Sequence, residues 1–203
     1  MEEAKQVYED EVDYLLSSTK YLRDATDELQ EDIAETKAEV ESVEMYGRRN
    51  IFEIDGYGED PDEDTNKIAL RIFHDLGLVN VTFKDICRSH RTSRRRKKKY
   101  LPRPIYVKLV NHDLKDEVLK RRHRLRQMPQ YRHVYLDENL TKQRRKLYSR
   151  VRREVGSENC YTNDGTIFVK LFENTAKSND FQTRKINNTK DFINIFDKHP
   201  YRE

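Results

Sequence analysis

Apolar residues recur near the start of the chain in steps of four and three, at Tyr8, Val12, Leu15, Thr19, Leu22, Thr26, Leu29, Ile33, Thr36, Val40 and Val43, with no Pro or Gly before Gly47. Taking Leu15 as heptad position d places Leu15, Leu22 and Leu29 at d, Val12, Ile33 and Val40 at a, and Val43 at the end of the stripe. A two-in-seven stripe sustained over about five heptads predicts a helix with a coiled-coil seam. It would extend roughly 50 Å at 1.5 Å per residue and stop near Gly47. A helix packed on its own domain shows a wider apolar face. Thr19, Thr26 and Thr36 weaken the middle of the seam, since threonine buries little and brings a hydroxyl.

Beyond Gly47 the periodicity changes. NIFEIDGYGED alternates briefly and closes on glycines and acids, as a strand and turn do. DTNKIALRIFHDLG puts Ile68, Leu70, Ile72, Phe73 and Leu76 on one helical face, with Asp64 or Thr65 as N-cap and Gly77 as stop. FKDICRSHR reads as a second strand. In RPIYVKLV, Ile105, Val107 and Leu109 alternate with Tyr106 and Lys108. HDLKDEVLKRRHRLRQM follows as a helix and HVYLDENL as a fourth strand. The order β-α-β-β-α-β is that of a split βαβ, ferredoxin-like sheet, the architecture of RNA-recognition (RRM) domains. Thr141 then caps KQRRKLYSRVRREVG, a helix with Leu147 and Val151 inward and Lys142, Arg144, Arg145, Arg150, Arg152 and Arg153 in water. NCYTNDGTIFVKLF is a hairpin turning at Asn163, Asp164 and Gly165, and TKDFINIFDKH a last short helix. Tyr161 and Phe168 read as hairpin core or as stacking surface, with core favoured for Phe168. The expected fold class is α+β: a coiled coil over residues 1–46, an RRM-like domain over 47–138, and a small α/β C-terminal domain over 139–203.

Charge sharpens this division. Residues 1–46 hold 15 Asp/Glu and 4 Lys/Arg, a net of −11, whereas residues 47–203 hold 22 and 36, a net of +14. Residues 88–153 alone carry 24 Lys/Arg against 5 Asp/Glu, a net of +19. Such asymmetry points to a basic half that meets a polyanion and an acidic half kept from it. At its centre lie Arg94, Arg95, Arg96, Lys97, Lys98 and Lys99, in the loop between the second and third strands. This run reads as a phosphate-binding loop on a rigid sheet, as a nuclear localisation signal, or as both. Tyr106 and Lys108 would stand on the open sheet face, where an RRM stacks bases, although Glu53 sits where the neighbouring strand would need a ring. Arg121 and Arg122, at the end of the second helix, extend the basic surface. The acidic segment around Glu59, Glu63 and Asp64 reads as a solvated loop.

Chemistry of other kinds finds little support. Hydrophobic residues make up only 35% of the chain and charged ones 38%, a modest core for its length. The two cysteines, Cys87 and Cys160, are far apart and lack zinc-ligand spacing. Phosphate-loop, G-x-S-x-G and HExxH motifs are absent, and the six histidines are scattered. His90, His112, His123 and His133 lie among cations and read as solvated or phosphate-facing. The expectation is therefore a non-enzyme without cofactor or metal. The start MEEAKQ has no apolar h-region and no run of about 18 apolar residues occurs, so an intracellular protein without a membrane partner is expected, in cytoplasm or nucleus.

RRNIFEIDGYGE, RSHRTSRRR, PRPIYVKL, ENLTKQRR and CYTNDGTIFVK, in this order and spacing, resemble the first-open-reading-frame proteins of LINE-type retrotransposons and the related baculovirus few-polyhedra (FP) proteins. The resemblance spans roughly residues 40–186 and has a coiled coil in the expected place before it. It implies a homo-oligomer, a trimer rather than a dimer, whose RRM-like and C-terminal domains bind RNA or single-stranded DNA without chemistry and act as a nucleic-acid chaperone. By position it points to Arg88, Arg91, Arg94, Arg95 and Arg96, to Arg103 and Lys108 at the third strand, to Arg144 and Arg145 on the C-terminal helix, and to Tyr161 at the hairpin. Residues 8–46 lack an RhxxhE-type trimer motif, and the chain has no zinc knuckle. The expected function is sequence-nonspecific packaging of single-stranded nucleic acid in a ribonucleoprotein; the alternative is a viral structural or scaffold protein in which nucleic-acid binding is secondary.

Overall fold

The seam residues lie on a single helix, α1 (Glu2–Arg48). It belongs to a computed structural model that describes residues 2–93, 101–172 and 181–198. The chain divides into two compact units, Met1–Glu44 and Met45–Glu203. In the first, the stripe stands in solvent: Val12, Leu15, Leu22, Leu29, Ile33, Val40 and Val43 are 50 to 73% exposed. The threonines of the seam do not leave their hydroxyls wanting, because Thr19 and Thr26 donate to the carbonyls of Leu15 and Leu22 at 2.7 and 2.6 Å, satisfying the group within the helix itself. None of the described helices is long and apolar enough to cross a membrane.

The second unit mixes helix and sheet. β1 (Ile51–Asp55), α2 (Thr65–Asp75), β2 (Ile86–Arg91), β3 (Ile105–Leu109), α3 (His112–Arg121) and β4 (Tyr135–Glu138) follow in chain order. Their strands form one antiparallel sheet ordered β2-β3-β1-β4. Strand alternation sends Phe52, Ile54, Ile105, Val107, Leu109 and Leu136 to the helix side, where they meet Ile68, Ala69, Ile72 and Phe73 of α2 and Val118 of α3 in one core. Asp64 is the N-cap of α2 and accepts from the amides of Asn66 and Lys67 at 3.0 and 3.2 Å, which satisfies two of the orphan donors at a helix start.

α4 (Lys142–Val155), β5 (Cys160–Asn163), β6 (Thr166–Phe172), β7 (Phe181–Ile186) and α5 (Thr189–Lys198) build a second lobe. Its antiparallel sheet is ordered β5-β6-β7. Ile167, Val169, Leu171 and Ile186 pack against Val151 and Val155 of α4 and Phe192 of α5. The β5–β6 turn takes positive φ at Asp164 and Gly165, 52° and 74°, as a two-residue type I′ hairpin requires.

Three sequence expectations change. β7 was not foreseen, and it turns the hairpin into a three-stranded sheet. Phe168 is not core: it alternates with buried Ile167 and Val169 and so lies on the opposite, half-exposed face, its ring stacked on that of Tyr161. The segment containing Glu59 and Glu63 is not merely solvated, because both carboxylates hold arginines.

Candidate nucleic-acid interface

The residues on either side of the basic run are clamped together. Residues 94–99, hence Arg94, Arg95, Arg96, Lys97, Lys98 and Lys99, lie outside the described residues, but the chain on both sides is fixed. Arg91, at the end of β2, grips Glu63 with Nε and Nη2, each at 2.6 Å. The two side chains are only 6% and 11% exposed. The same guanidinium donates to the carbonyls of Tyr57 (3.0 Å), Gly58 and Arg103. Arg103 in turn pairs with Glu59, and the Thr92 amide donates to the Pro104 carbonyl at 2.9 Å. The structure thus gives Arg91 and Arg103 the work of closing the loop's neck, with Arg91 withdrawn from solvent.

The Arg91 hydrogen bonds hold the Glu63 carboxyl below its ordinary value of 4.5 against the opposing effect of burial. Arg103 does the same for Glu59. A lowered carboxyl pKa contributes stability that is present above the unfolded value and lost as pH falls through the folded one. Wild-type melting temperature should therefore decline as pH drops below about 4.5. Glu63→Gln should start lower at neutral pH, by about 2 kcal/mol for a charged hydrogen-bonded pair, and should lack its share of that decline. Thermal melts of the two proteins between neutral and acid pH measure both effects.

On the sheet face away from the core, Arg88 and His90 of β2 stand beside Lys108 and Tyr106 of β3. The rings of His90 and Tyr106 lie 5.0 Å apart. Burial raises the Tyr106 hydroxyl pKa, opposed by the Arg48 and Arg88 charges. The face stays open only on this side. Ile51 and Glu53 of β1 are covered, and Glu53 accepts from Asn139 Nδ2 at 2.7 Å and from both Nη atoms of Arg145, at 2.9 and 3.2 Å. The glutamate that breaks the stacking pattern is thus an anchor for α4.

α4 sorts its seven cations. Arg145 binds Glu53 and Arg144 donates to the Gly165 carbonyl at 3.2 Å; both are half-buried rather than in water as the pattern implied. Lys142, Lys146, Arg150, Arg152 and Arg153 are exposed, with Glu154 the one carboxylate among the helix's residues. Arg121 and Arg122 also have structural partners. Arg121 donates to the Gly77 carbonyl at 3.0 Å and to Glu117 at 3.2 Å, and Arg122 to the Leu136 carbonyl at 3.2 Å.

A cleft of about 530 Å³ opens beside β4, lined by Arg122, Arg126 and Arg152 together with Asp55, Asp137 and Glu158. Its three guanidiniums and three carboxylates neutralise one another, so it offers an anion less than the exposed face of α4 does. Asp137 lines the cleft and is exposed yet flanked by protein, and desolvation pushes its carboxyl up against the pull of Arg122 and Arg152. Tyr148, also in this wall, is pushed up to about 12 by burial.

His112, Asp116 and Asp164 bring ligand atoms within 4.8 Å of one another. A cation is already there, since Lys115 Nζ lies 3.4 Å from Asp116 and 3.0 Å from Asp164. His112 Nε2 is 3.3 Å from Asp164, so this histidine faces carboxylates rather than phosphate. Lys115 is 1% exposed, and it escaped notice in the sequence. Its signal was a lysine three positions before Val118, on the inward stripe of its helix. No family model matches the chain, and no curated protein matches it.

Proposed function

We propose that this chain is a non-catalytic, oligomeric binder and packager of single-stranded RNA or DNA, of the LINE-type first-open-reading-frame and FP kind, acting inside the cell. The observation that carries the reading is the division of labour on α4. Two arginines are turned inward to fix the helix, Arg152 lines the cleft beside Asp137 and Glu158, and Lys142, Lys146, Arg150 and Arg153 are left in solvent, with Glu154 the one carboxylate among the helix's residues. Cations held on a rigid element attract a phosphate backbone by displacing its counterions, without regard to sequence. Arg88 and Lys108 on the sheet face and the run over residues 94–99, whose flanking residues are clamped together, add to the same field.

The strand order β2-β3-β1-β4 with a helix after β1 and after β3 supports an RRM-like reading of residues 47–138, with residues 139–203 as the C-terminal domain. Base-specific recognition does not follow, because Glu53 and Arg145 occupy the middle of the face on which an RRM stacks bases. The exposed a/d seam over residues 1–46 favours self-association, a trimer by resemblance. Bundling would present several weak basic heads to one long strand at high effective concentration.

Titration of a labelled, unstructured oligonucleotide at increasing salt tests the reading. Affinity should fall with a log–log slope of about −0.7 per phosphate contacted. Replacing Lys142, Lys146, Arg150 and Arg153 together by Ala should make that slope shallower by about 3 while the thermal melt stays cooperative. A flat salt series for the wild type would sink the proposal. Light scattering gives the oligomer number in parallel, and a monomer at high concentration would remove the bundling.

A further inference from the structure

The outer face of the three-stranded sheet has a composition its fold does not need. α4 and α5 cover the inner face through Ile167, Val169, Leu171 and Ile186. On the other side, register brings Tyr161 of β5 opposite Phe168 of β6, and Phe168 opposite Lys185 of β7. The Tyr161 and Phe168 rings are nearly parallel, 15° apart in plane, with centroids 5.3 Å apart. Further along the sheet Lys170 Nζ lies 4.9 Å from the centre of the Phe181 ring. Phe181 is 46% exposed and Tyr161 36%. Asn163, Thr166 and Thr183 also stand on this face, and no carboxylate does so among the described residues.

Exposed aromatic rings on a protein surface lose the free energy that burial would give them, and they mark a contact to be made. What the contact is follows from the neighbours. Among the described residues the face carries two lysines and no acid, which disfavours a basic partner, and its flat rings offer stacking rather than knobs or pockets. Unpaired bases carry π-faces and phosphates in alternation, and alternating rings and lysines match that chemistry. A duplex has its base faces hidden in its own stack and presents only phosphate to such a surface.

We infer that the β5-β6-β7 face is a stacking platform for unpaired bases, with Tyr161–Phe168 and Phe181 each receiving a base and Lys170 and Lys185 holding the intervening phosphates. This rests on the single-strand reading above and deepens it. The cationic face of α4 attracts any phosphate polymer, whereas the platform selects strands whose bases are free. The protein's preference for single over double strands then comes from the C-terminal lobe's sheet and not from the RRM-like sheet.

The chain contains no Trp, so Phe181→Trp creates a lone fluorescent reporter on the platform. Oligothymidylate of about 20 nucleotides, longer than one such platform occupies, should quench its emission, while a duplex of equal length should leave it unchanged although it binds. Phe181→Leu, on an exposed edge strand, and Phe168→Leu should each weaken single-strand binding about 10- to 100-fold, as loss of one base stack does. The salt slope should stay the same, and duplex affinity should not change. Phe181→Leu keeps the test valid should Phe168→Leu fail to fold. Unquenched emission with undiminished, salt-dependent single-strand binding would overturn the platform and leave the proposed function standing. Equal quenching by duplex, or quenching by rising protein concentration alone, would also overturn it. A wild type that binds no strand at all would remove both.

Discussion

Lys115→Met is expected to cost about 3–5 kcal/mol, the loss typical of removing one partner from a buried ion pair. Lys115 is 1% exposed, and its ammonium lies 3.2 Å from Glu138, whose side chain is 5% exposed. Glu138 ends β4 in the first lobe and also accepts from the amides of Asp164 and Gly165, at 2.8 and 3.1 Å, at the tip of the β5–β6 hairpin. One carboxylate therefore joins α3, β4 and the second lobe. Methionine fills the lysine's volume but leaves that carboxylate buried with its charge unanswered. Lys115→Met combined with Glu138→Gln should recover much of the loss, because glutamine's carbonyl can still accept from one of the hairpin amides. Chemical denaturation of wild type, single and double variants gives the coupling directly.

The same cluster fixes a pH dependence. Burial pulls the Lys115 pKa down, and the Glu138 and Asp164 charges and hydrogen bonds overcome it, leaving the group above its ordinary value of 10.5. A raised lysine contributes stability that is fully present below the unfolded pKa and lost as pH rises through the folded one. Wild type should thus keep this contribution through neutral pH and surrender it only above about 10.5. Lys115→Met should show a flatter alkaline limb. The functional consequence lies in geometry. α4 is tied to the four-stranded sheet by the ion pair of Arg145 with Glu53, and the hairpin by amide hydrogen bonds to the Glu138 carboxylate, so the cationic helix and the aromatic face are held at two places. On the proposed function, loosening the Lys115 cluster should weaken strand binding through lost alignment although neither Lys115 nor Glu138 is proposed to touch the strand.

Much of this architecture was legible in the sequence because local period carries it. The four-three steps of the first 46 residues, the alternation in IYVKL and the capped apolar face of TNKIALRIFHD each depend on residues within a few positions of one another. β7 was not legible for the same reason. It is an edge strand with exposed Phe181, Gln182, Thr183, Arg184 and Lys185 and only Ile186 buried, so its pattern holds no alternation to read. Partners distant in the chain were equally hidden. Arg91 finds Glu63 28 positions away and Arg145 finds Glu53 92 positions away. A basic composition states that cations are plentiful without stating which are consumed inside the fold. That is why Arg91, Arg144 and Arg145, strong candidates by sequence, turn inward, while Lys146, Arg152 and Arg153 face solvent. Phe168 misled in the opposite direction, since a phenylalanine in a hairpin is read as core unless the register is known.

Gly56→Ala is expected to destabilise the second unit by about 3 kcal/mol or more, from backbone strain at positive φ together with overpacking. Gly56 follows β1 and holds φ at +78°, a region that side chains rarely adopt. A Cβ added there would sit 1.8 Å from the His133 carbonyl oxygen, inside the segment that leads into β4. The obstacle is backbone and not the tip of a flexible side chain, so relief requires β1 and the chain before β4 to part. These are the strands that pair Asp55 with Tyr135 and Ile54 with Leu136, and the damage should spread into the core at Leu136 and Val134. Gly58, two positions on, has nothing within 4 Å of an added Cβ, and Gly58→Ala serves as the matched control with a change within about 0.5 kcal/mol. Denaturant midpoints of the two variants decide it. If Gly56→Ala melts with Gly58→Ala, β1 and the His133 segment do not approach as closely as the fold requires. The wall of the interlobe cleft that β4 supplies would then be wrongly placed.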